Sequence, residues 1–309
     1  MRVVFMGTPE FAVPSLERLA VEHRIAAVYV RPDAVSGRGG VARAAAVKVA
    51  ALRLELPVRQ PETLRDVETQ RELAALEADV VCVAAYGLIL PPAVLTAARL
   101  GAVNVHASLL PRWRGAAPIQ RAILAGDTHV GVSIMRMEEG LDTGPYCIQR
   151  RIPADDKGAL ALTAELGELG AELLVSSLPS IADETAIWTS QLDDEATYAS
   201  KVTKADVAPD PELGANDNLL RVRASTPAAP ARILVNGRGV TVMLATLSNS
   251  ADGLHSGSVR QQTGGIALGT RSGALLALRV RPDGKAEMDA TAWARGARLD
   301  AETVWSSAR

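Results

Sequence analysis

The chain has 309 residues, of which 48% are hydrophobic and 22% charged, and its formal net charge is −2. This composition is typical of an ordinary globular protein with a substantial core, and the length predicts one large domain and one small domain. The near-neutral charge excludes broad, non-specific binding to polyanions, although it allows a local basic patch.

Neither of the two cysteines, Cys82 and Cys147, belongs to a CxxC pair. A disulfide scaffold and a zinc–thiolate site are therefore both disfavoured. The opening MRVVFMG is too short to be a signal peptide, and no window approaches the roughly 18 apolar residues that span a bilayer. We expect a cytoplasmic protein.

The first thirty residues predict a β-α-β unit. Residues 2–6 are an apolar strand, Thr8 and Pro9 resemble a helix N-cap and first helical position, the helix ends near His23, and residues 25–30 form the next strand. The intervening turn has one glycine and no GxGxxG pattern, which counts against an NAD-dependent dehydrogenase.

Residues 31–46 are rich in Gly, Arg and Ala and have no hydrophobic period, so they predict a long loop that is either functional or simply solvated. Further strand and helix patterns follow in alternation. They predict a helix at 47–54, a strand at 57–59, a helix at 67–77, a central strand at 79–85 and a helix through Arg99.

The next strand, residues 102–105, carries two polar side chains towards the same face, Asn104 and His106. An amide and an imidazole where a strand ends lie where an open α/β sheet places its chemistry. The alternative is a histidine that only caps the strand through the backbone. The run 112–115, RWRG, then leads through a turn into a helix that continues to Leu124.

From Gly131 the pattern changes to two alternating strands around a Gly-rich link, which predicts an antiparallel hairpin with Asp142 at its tip. This aspartate is either a turn former or a third site residue.

A helix at 159–178 closes the domain, and the polar stretch 183–205 predicts a linker. Beyond it, a helix at 216–224 and four or five short strands predict a small barrel.

The predicted fold is thus α/β: a doubly wound, Rossmann-like, mainly parallel sheet followed by a small OB-like β-barrel. We expect a catalytic domain at 1–185, a linker at 186–204 and the barrel domain at 205–309.

Common catalytic signatures are missing from the sequence. There is no GxSxG, no P-loop, and no histidine spaced with another His or Cys for a metal. We expect His23, His129 and His255 to be surface residues without a catalytic role. Asn104, His106 and Asp142 remain as an amide, an imidazole and a carboxylate, a set that suits direct transfer between two bound substrates.

At these residues the chain resembles the folate-dependent formyltransferases. The string NVHASLLPRWRGAAPIQ from residue 104 and LDTGP from residue 141 match the family signature, and GTPEFAVPSL, AYGLILP and KVTKAD match in order. The resemblance implies that Asn104, His106 and Asp142 are catalytic. It also implies attack by the amino group of initiator methionyl-tRNA on the formyl carbon of 10-formyltetrahydrofolate through a tetrahedral intermediate, without a metal.

The resemblance also assigns binding residues. For the folate it implies Asp142 together with two segments, Tyr86, Gly87, Leu88, Ile89 and Leu90, and Ser108, Leu109, Leu110 and Pro111. For the tRNA it implies Arg38, Arg43 and Lys48 in the loop, with support from the barrel. A monomer is the expectation.

Two alternatives share the three polar residues and a barrel-like tail: a formyltransferase for amino-sugar nucleotides and a formyl-folate hydrolase-type domain. The arginine-bearing loop and the RWRGAAPIQ string favour tRNA. The phosphoribosylglycinamide enzyme is disfavoured by its shorter length. A non-catalytic tRNA- or nucleotide-binding protein would not need the Asn-His-Asp set.

Overall fold

The computed structural model describes residues 1–35, 42–250 and 253–308, without the side chains of residues 34, 35, 42 and 43. The chain divides into two compact units. Unit 1 comprises Met1–Pro118, His129–Pro153 and Leu162–Ala199, and unit 2 comprises Ile119–Thr128, Ala154–Ala161 and Ser200–Arg309. The domain boundaries predicted from the sequence, at 185 and 204, stay a prediction.

Unit 1 is built on a seven-stranded, mainly parallel sheet. Its order is β10-β9-β7-β6-β1-β2-β5, in which β1, β2, β5, β6 and β7 run parallel, β9 is antiparallel to β7, and β10 is antiparallel to β9. The strands are β1 (Arg2–Gly7), β2 (Arg24–Tyr29), β3 (Ala34–Val35), β4 (Ala42–Arg43), β5 (Val58–Arg59), β6 (Val80–Ala84), β7 (Ala102–His106), β8 (Arg114–Gly115), β9 (His129–Arg136), β10 (Tyr146–Pro153) and β11 (Tyr198–Ala199).

Helices cover both faces of this sheet. On one face lies a core that includes Tyr29, Leu73 and Leu90. On the other face the long helix α6 approaches closely because Gly170 has no side chain: a Cβ there would lie 2.5 Å from Val105 Cγ1. The helices of the first two hundred residues are α1 (Val13–Glu22), α2 (Ala46–Arg53), α3 (Val67–Ala74), α4 (Pro92–Leu95), α5 (Pro118–Leu124) and α6 (Ala159–Ala182).

Four predicted helix boundaries differ from the structure by more than one residue. Helix α3 ends at Ala74 instead of near Glu77, and α6 continues to Ala182 instead of ending at Leu178. The other two are the start of α1 and the end of α4.

Thr8 is not an N-cap, because Pro9 is extended and a short 3-10 turn precedes α1; the Thr8 hydroxyl instead donates to the carbonyl of Tyr86 at 2.9 Å. Helix α4 ends at Leu95, whereas the sequence predicted that this helix continues through Arg99. There the Thr96 hydroxyl bonds back to the carbonyl of Pro92 at 2.9 Å.

The predicted hairpin is confirmed as β9 and β10, and it extends the sheet through β7. The register places Asn104 opposite Met135 and His106 opposite Ser133. The hairpin link, which carries Asp142, therefore leaves β9 at Arg136, the residue that pairs with Val103 of β7.

The polar stretch predicted as a linker contributes to unit 1 as far as Ala199. Thr189 forms a bridge with Tyr146, and β11 pairs in parallel with β8. These pairings depend on tertiary neighbours, which the aperiodic sequence of this stretch does not indicate.

Unit 2 is dominated by a curled antiparallel sheet in the order β14-β15-β16-β13-β12-β18, with β17 paired to β16. A bridge between Ser258 and Val304 brings its two ends together. The predicted fold class is confirmed. The elements are α7 (Lys204–Val207), α8 (Ala215–Ala224), β12 (Arg232–Val235), β13 (Arg238–Leu247), β14 (Val259–Gln262), β15 (Gly265–Gly269), β16 (Ala274–Pro282), β17 (Met288–Asp289), α9 (Ala290–Ala297) and β18 (Trp305–Ser307).

Helix α9, whose N-cap is Asp289, and strand β18 were not among the elements predicted for the tail. Among the described residues, no helix combines the length and apolar character that a membrane crossing requires.

Candidate active site

Strand β7 places two polar side chains inside the protein. All five of its residues are buried, and Asn104 and His106 are only 7% and 5% exposed. Within the described part of the chain, the Asn104 amide forms no side-chain hydrogen bond. Because a buried amide normally has partners, this side chain is available to a bound molecule.

The imidazole of His106 lies between two acceptors. Its Nε2 is 3.0 Å from the carbonyl oxygen of Trp113, and its Nδ1 is 3.6 Å from Oδ2 of Asp142. A carbonyl oxygen only accepts, so Nε2 carries a proton and donates it. In this tautomer Nδ1 has a free lone pair, so it can take up one proton and release it again, and the facing Asp142 carboxylate stabilises the imidazolium that forms.

Asp142 has a left-handed backbone conformation, with φ of 52°. Aspartate tolerates this region better than most non-glycine residues. The same carboxylate oxygen that faces His106 accepts a hydrogen bond from the backbone N–H of Gly115 at 2.8 Å. Asp142 is therefore both a turn residue and a contact of His106, and the two readings of the sequence do not exclude each other.

Gly115 can occupy the position from which its N–H reaches Asp142 because it has no side chain. Its φ is 120°, and a Cβ at this position would lie 2.9 Å from the carbonyl oxygen of Ala199. The short pairing of β8 with β11 holds the glycine in place. The sequence reasoning noted the RWRG run but assigned neither the Gly115 amide nor the Trp113 carbonyl to the site.

Gln191 is a further residue that the sequence reasoning missed. Its side-chain nitrogen donates to the carbonyl oxygens of Asp142 and Gly144, at 2.8 and 2.6 Å. No local sequence signal marks it, since it lies in the aperiodic stretch.

The turn at 108–111 is fixed by the hairpin. The buried hydroxyl of Ser133 donates to the carbonyl of Ser108 at 2.6 Å and accepts from the backbone N–H of Leu110 at 3.2 Å. Gln149 donates to the carbonyl of Leu110 at 2.8 Å, and the Leu110–Pro111 peptide bond is cis. Leu109 packs where the missing side chain of Gly131 leaves space.

A cavity of about 220 Å³ lies beside Asp142, lined by residues 88–90, Met135, Met137 and residues 138–142. Two side chains at its rim, Ile89 and Leu141, are 76% and 62% exposed. Exposed large apolar side chains around a cavity are typical of a surface that a ligand covers.

The predicted folate segment 86–90 is split by the structure. Residues 88–90 line the cavity, whereas Tyr86 is buried in the core on one face of the sheet, where burial raises the pKa of its phenol to about 12. Gly87 is absent from the lining, and its carbonyl accepts from Arg31 at 3.2 Å.

The predicted tRNA-binding residues are described unequally. Arg38 lies outside the described residues, and only the backbone of Arg43, in β4, is described. Lys48, in α2, forms an ion pair of 2.6 Å with Asp33, which also accepts from Gln60. These hydrogen bonds hold the pKa of the Asp33 carboxyl below its usual value.

Other titratable groups lie apart from this set. His129 and His255 are exposed, as predicted; His23 is half-buried, and burial together with the N-terminal charge lowers its pKa. Burial raises the pKa of both thiols. Searched over the described residues, the His, Cys, Asp and Glu side chains form no cluster of three that suits a metal ion.

Comparison with known proteins identifies the family. A family model described as "Formyl transferase" matches residues 1–178, and one described as "Formyl transferase, C-terminal domain" matches residues 217–298. The chain belongs to the formyl transferase family. The resemblance on which the sequence analysis relied is thereby confirmed.

Similar curated proteins carry the name methionyl-tRNA formyltransferase. The one from Jannaschia sp. (strain CCS1) is 42% identical, covering 98% of this chain and 99% of its own. The one from Ruegeria pomeroyi is 45% identical, covering 96% and 97%.

Two solved structures have a similar fold. An N-formyltransferase from Helicobacter canadensis, in complex with folinic acid and dTDP-3-aminofucose, has a TM-score of 0.64 at 17% identity and covers 89% of this chain and 98% of its own. HypX from Aquifex aeolicus, in complex with tetrahydrofolic acid, has a TM-score of 0.65 at 17% identity and covers 95% of this chain and 47% of its own.

Proposed function

We propose that this formyl transferase transfers the formyl group of 10-formyltetrahydrofolate to the free amino group of initiator methionyl-tRNA. The observation that carries the proposal is the placement of His106 between the Trp113 carbonyl and the Asp142 carboxylate, on the strand that also presents Asn104. The acceptor follows from the relatives, which share 42–45% of residues over nearly the full length.

Each polar residue then has one role. The Asn104 amide donates to the oxygen of the formyl group as negative charge develops on it, and a proton on His106 adds to that stabilisation. The Asp142 carboxylate orients the imidazole and stabilises its protonated form. The proton released by the attacking amine can therefore leave the site through His106. Each such contribution is typically worth about 100-fold or more in rate.

The cavity beside Asp142 fits the flat ring of a folate. Apolar side chains at Leu88, Leu90 and Met135 suit the faces of such a ring, while the surrounding backbone and the carboxylates of 138–142 suit its polar edge. The bound cosubstrate supplies the formyl group. Residues 108–111, held by Ser133, would border it on the side of β7.

For the acceptor, we propose that Arg38, Arg43 and Lys48 contact tRNA phosphates. The ion pair of Lys48 with Asp33 limits the positive charge that this residue offers to a phosphate in the free protein.

The test is incubation of the purified protein with 10-formyltetrahydrofolate and charged initiator tRNA, with formyl-methionine measured on the tRNA. Parallel reactions replace the tRNA by a dTDP-amino sugar or omit the acceptor. Transfer to the tRNA alone is expected, and His106→Ala and Asn104→Ala should abolish it while the circular dichroism spectrum stays unchanged. Transfer to the sugar nucleotide, or release of free formate without an acceptor, would replace the proposal by one of the two alternatives.

A further inference from the structure

Gln191 connects the stretch after α6 to the turn that carries Asp142. Its Nε2 atom has two hydrogens, and both are used: one reaches the carbonyl oxygen of Asp142 at 2.8 Å and the other that of Gly144 at 2.6 Å. The side chain therefore bonds to the backbone on both sides of Thr143.

The orientation of the Gln191 amide is fixed by its third partner. Its Oε1 accepts a hydrogen bond from Nε of Arg114 at 2.9 Å. An arginine only donates and a carbonyl oxygen only accepts, so a flipped amide would face a donor with its nitrogen and two acceptors with its oxygen. One orientation satisfies all three bonds.

Arg114 is itself a buried anchor. Its side chain is 2% exposed, and its Nη1 donates at 2.9 Å to Asp193, whose carboxylate is largely exposed. The next residue, Gly115, donates directly to the Asp142 carboxylate. The Arg114–Gly115 pair thus holds Asp142 twice, through the carboxylate and, by way of Gln191, through the backbone.

The turn benefits from such support because Asp142 is in the left-handed region, which aspartate adopts more readily than most non-glycine residues but still at a cost in conformational energy. Gly144 packs against the carbonyl of Arg136, so close that a Cβ would not fit. Without the two bonds from Gln191, the carbonyls of Asp142 and Gly144 lose these donors, and the Gly115 N–H alone holds the carboxylate towards His106.

We propose that Gln191 is a positioning residue for the transfer reaction: anchored on Arg114, it holds the 142–144 turn so that the Asp142 carboxylate faces Nδ1 of His106. The inference deepens the proposed function and rests on it for its kinetic test alone. A displacement of about 1 Å in such a group costs up to about 100-fold in rate.

The test uses two matched variants of the full chain. Gln191→Glu keeps an acceptor for Arg114 but removes both donors to the turn, whereas Asp193→Asn alters the exposed partner of the same arginine and leaves Gln191 intact. We expect Gln191→Glu to lower kcat about 10- to 100-fold with KM for the folate within about 3-fold of wild type. Asp193→Asn should stay within about 2-fold in both.

A second readout needs no substrate. The protein has four histidines, so the ring carbon–proton NMR signal of His106 can be assigned by its loss in His106→Ala. That signal should shift in Gln191→Glu and remain in place in Asp193→Asn. If wild type does not transfer formyl, the proposed function fails, and the NMR comparison still decides whether Gln191 positions Asp142.

Unchanged kcat together with an unshifted His106 signal in Gln191→Glu would overturn the inference. A fall in kcat matched by a large fall in thermal stability would also overturn it in favour of a purely structural role. If Gln191→Glu does not fold, Gln191→Leu, which removes the same donors without adding charge, replaces it with the same expectations.

Discussion

At the scale of single residues, the site depends on which atoms accept and which donate. His106 has an acceptor at each ring nitrogen, the Trp113 carbonyl and the Asp142 carboxylate. Asn104 adds an amide N–H donor. The three side chains therefore divide the work of stabilising an oxyanion and moving a proton.

Asp142→Asn isolates the charge of this carboxylate. Asparagine tolerates the left-handed backbone and can still accept from the Gly115 N–H, so the turn should remain intact. We expect kcat to fall about 100-fold or more, with little change in Tm. Steady-state kinetics and thermal unfolding measure both.

Asp155→Asn is the control, since Asp155 also has a positive φ, of 45°, but belongs to unit 2, whereas His106 belongs to unit 1. The same substitution there should leave kcat unchanged. A rate for Asp142→Asn within 3-fold of wild type would show that its charge is not needed.

At the scale of elements, short pairings bring the site together. The two-residue strands β8 and β11 pair in parallel, and this pairing sets Gly115 against both Ala199 and Asp142. The β7–β9 register sets Ser133 beside the 108–111 turn.

Gly115→Ala should disturb the first of these contacts. The new Cβ would lie 2.9 Å from the Ala199 carbonyl, and alanine disfavours φ of 120°. We expect the free energy of unfolding to fall by about 1–3 kcal/mol and kcat to fall with it. Gly237→Ala is the control for strain alone, since its φ is 73° and nothing lies within 4 Å of the added carbon. Equal effects of the two variants on kcat would contradict the role given to Gly115.

Ser133→Ala tests the contact between Ser133 and the 108–111 turn. The buried hydroxyl accepts from Leu110 and Gln149 and donates to Ser108, so its loss deprives the buried Leu110 N–H and the buried Ser108 carbonyl of this partner. We expect a loss of about 1–3 kcal/mol in stability and a raised KM for the folate, because the turn at 108–111 loosens. Thermal unfolding and kinetics with varied folate concentration check this, and a KM equal to that of wild type would separate the turn from folate binding.

At the scale of the whole molecule, unit 2 gathers segments that are distant in sequence. The Asp206 carboxylate accepts a hydrogen bond from the backbone N–H of Thr203 at 2.8 Å. It also forms an ion pair of 3.3 Å with Arg121, which lies 85 positions earlier in the chain. These bonds hold the pKa of Asp206 below its ordinary value of 3.8, the Thr203 backbone contributing most.

The sign of the resulting pH dependence is fixed by this direction. The folded state binds the Asp206 proton more weakly than the unfolded state does, so the carboxylate stabilises the fold above pH 3.8 and loses that effect as the pH falls further. The difference in Tm between wild type and Asp206→Asn should therefore be largest near neutral pH and should shrink below pH 4. Asp156→Asn, at an exposed position of unit 2, is the control. A difference that stays constant down to pH 2 would refute the assignment.

Much of the fold was predictable because its signals are local. Apolar runs such as Val80–Ala84 reflect burial on both faces of a sheet. The sequence alternation of β9 predicted the strand but not its burial, since every residue from Val130 to Met135 is buried. The boundary errors at Thr8 and Arg99 arose where a side chain found a different hydrogen-bond partner than the helix pattern implied. Helix α9 was missed amid the strands of the tail.

The candidate site divides in the same way. The sequence by itself determined that Asn104 and His106 lie on one strand and that Asp142 lies in a turn. It also determined the family resemblance, because residue types and their order along the chain are properties of the sequence. Only the tertiary structure decided the contacts of Trp113, Gly115 and Gln191, since these are backbone groups or a polar residue without periodicity. Their roles come from neighbours 7 to 49 positions away, and no local pattern encodes a hydrogen bond made across such distances.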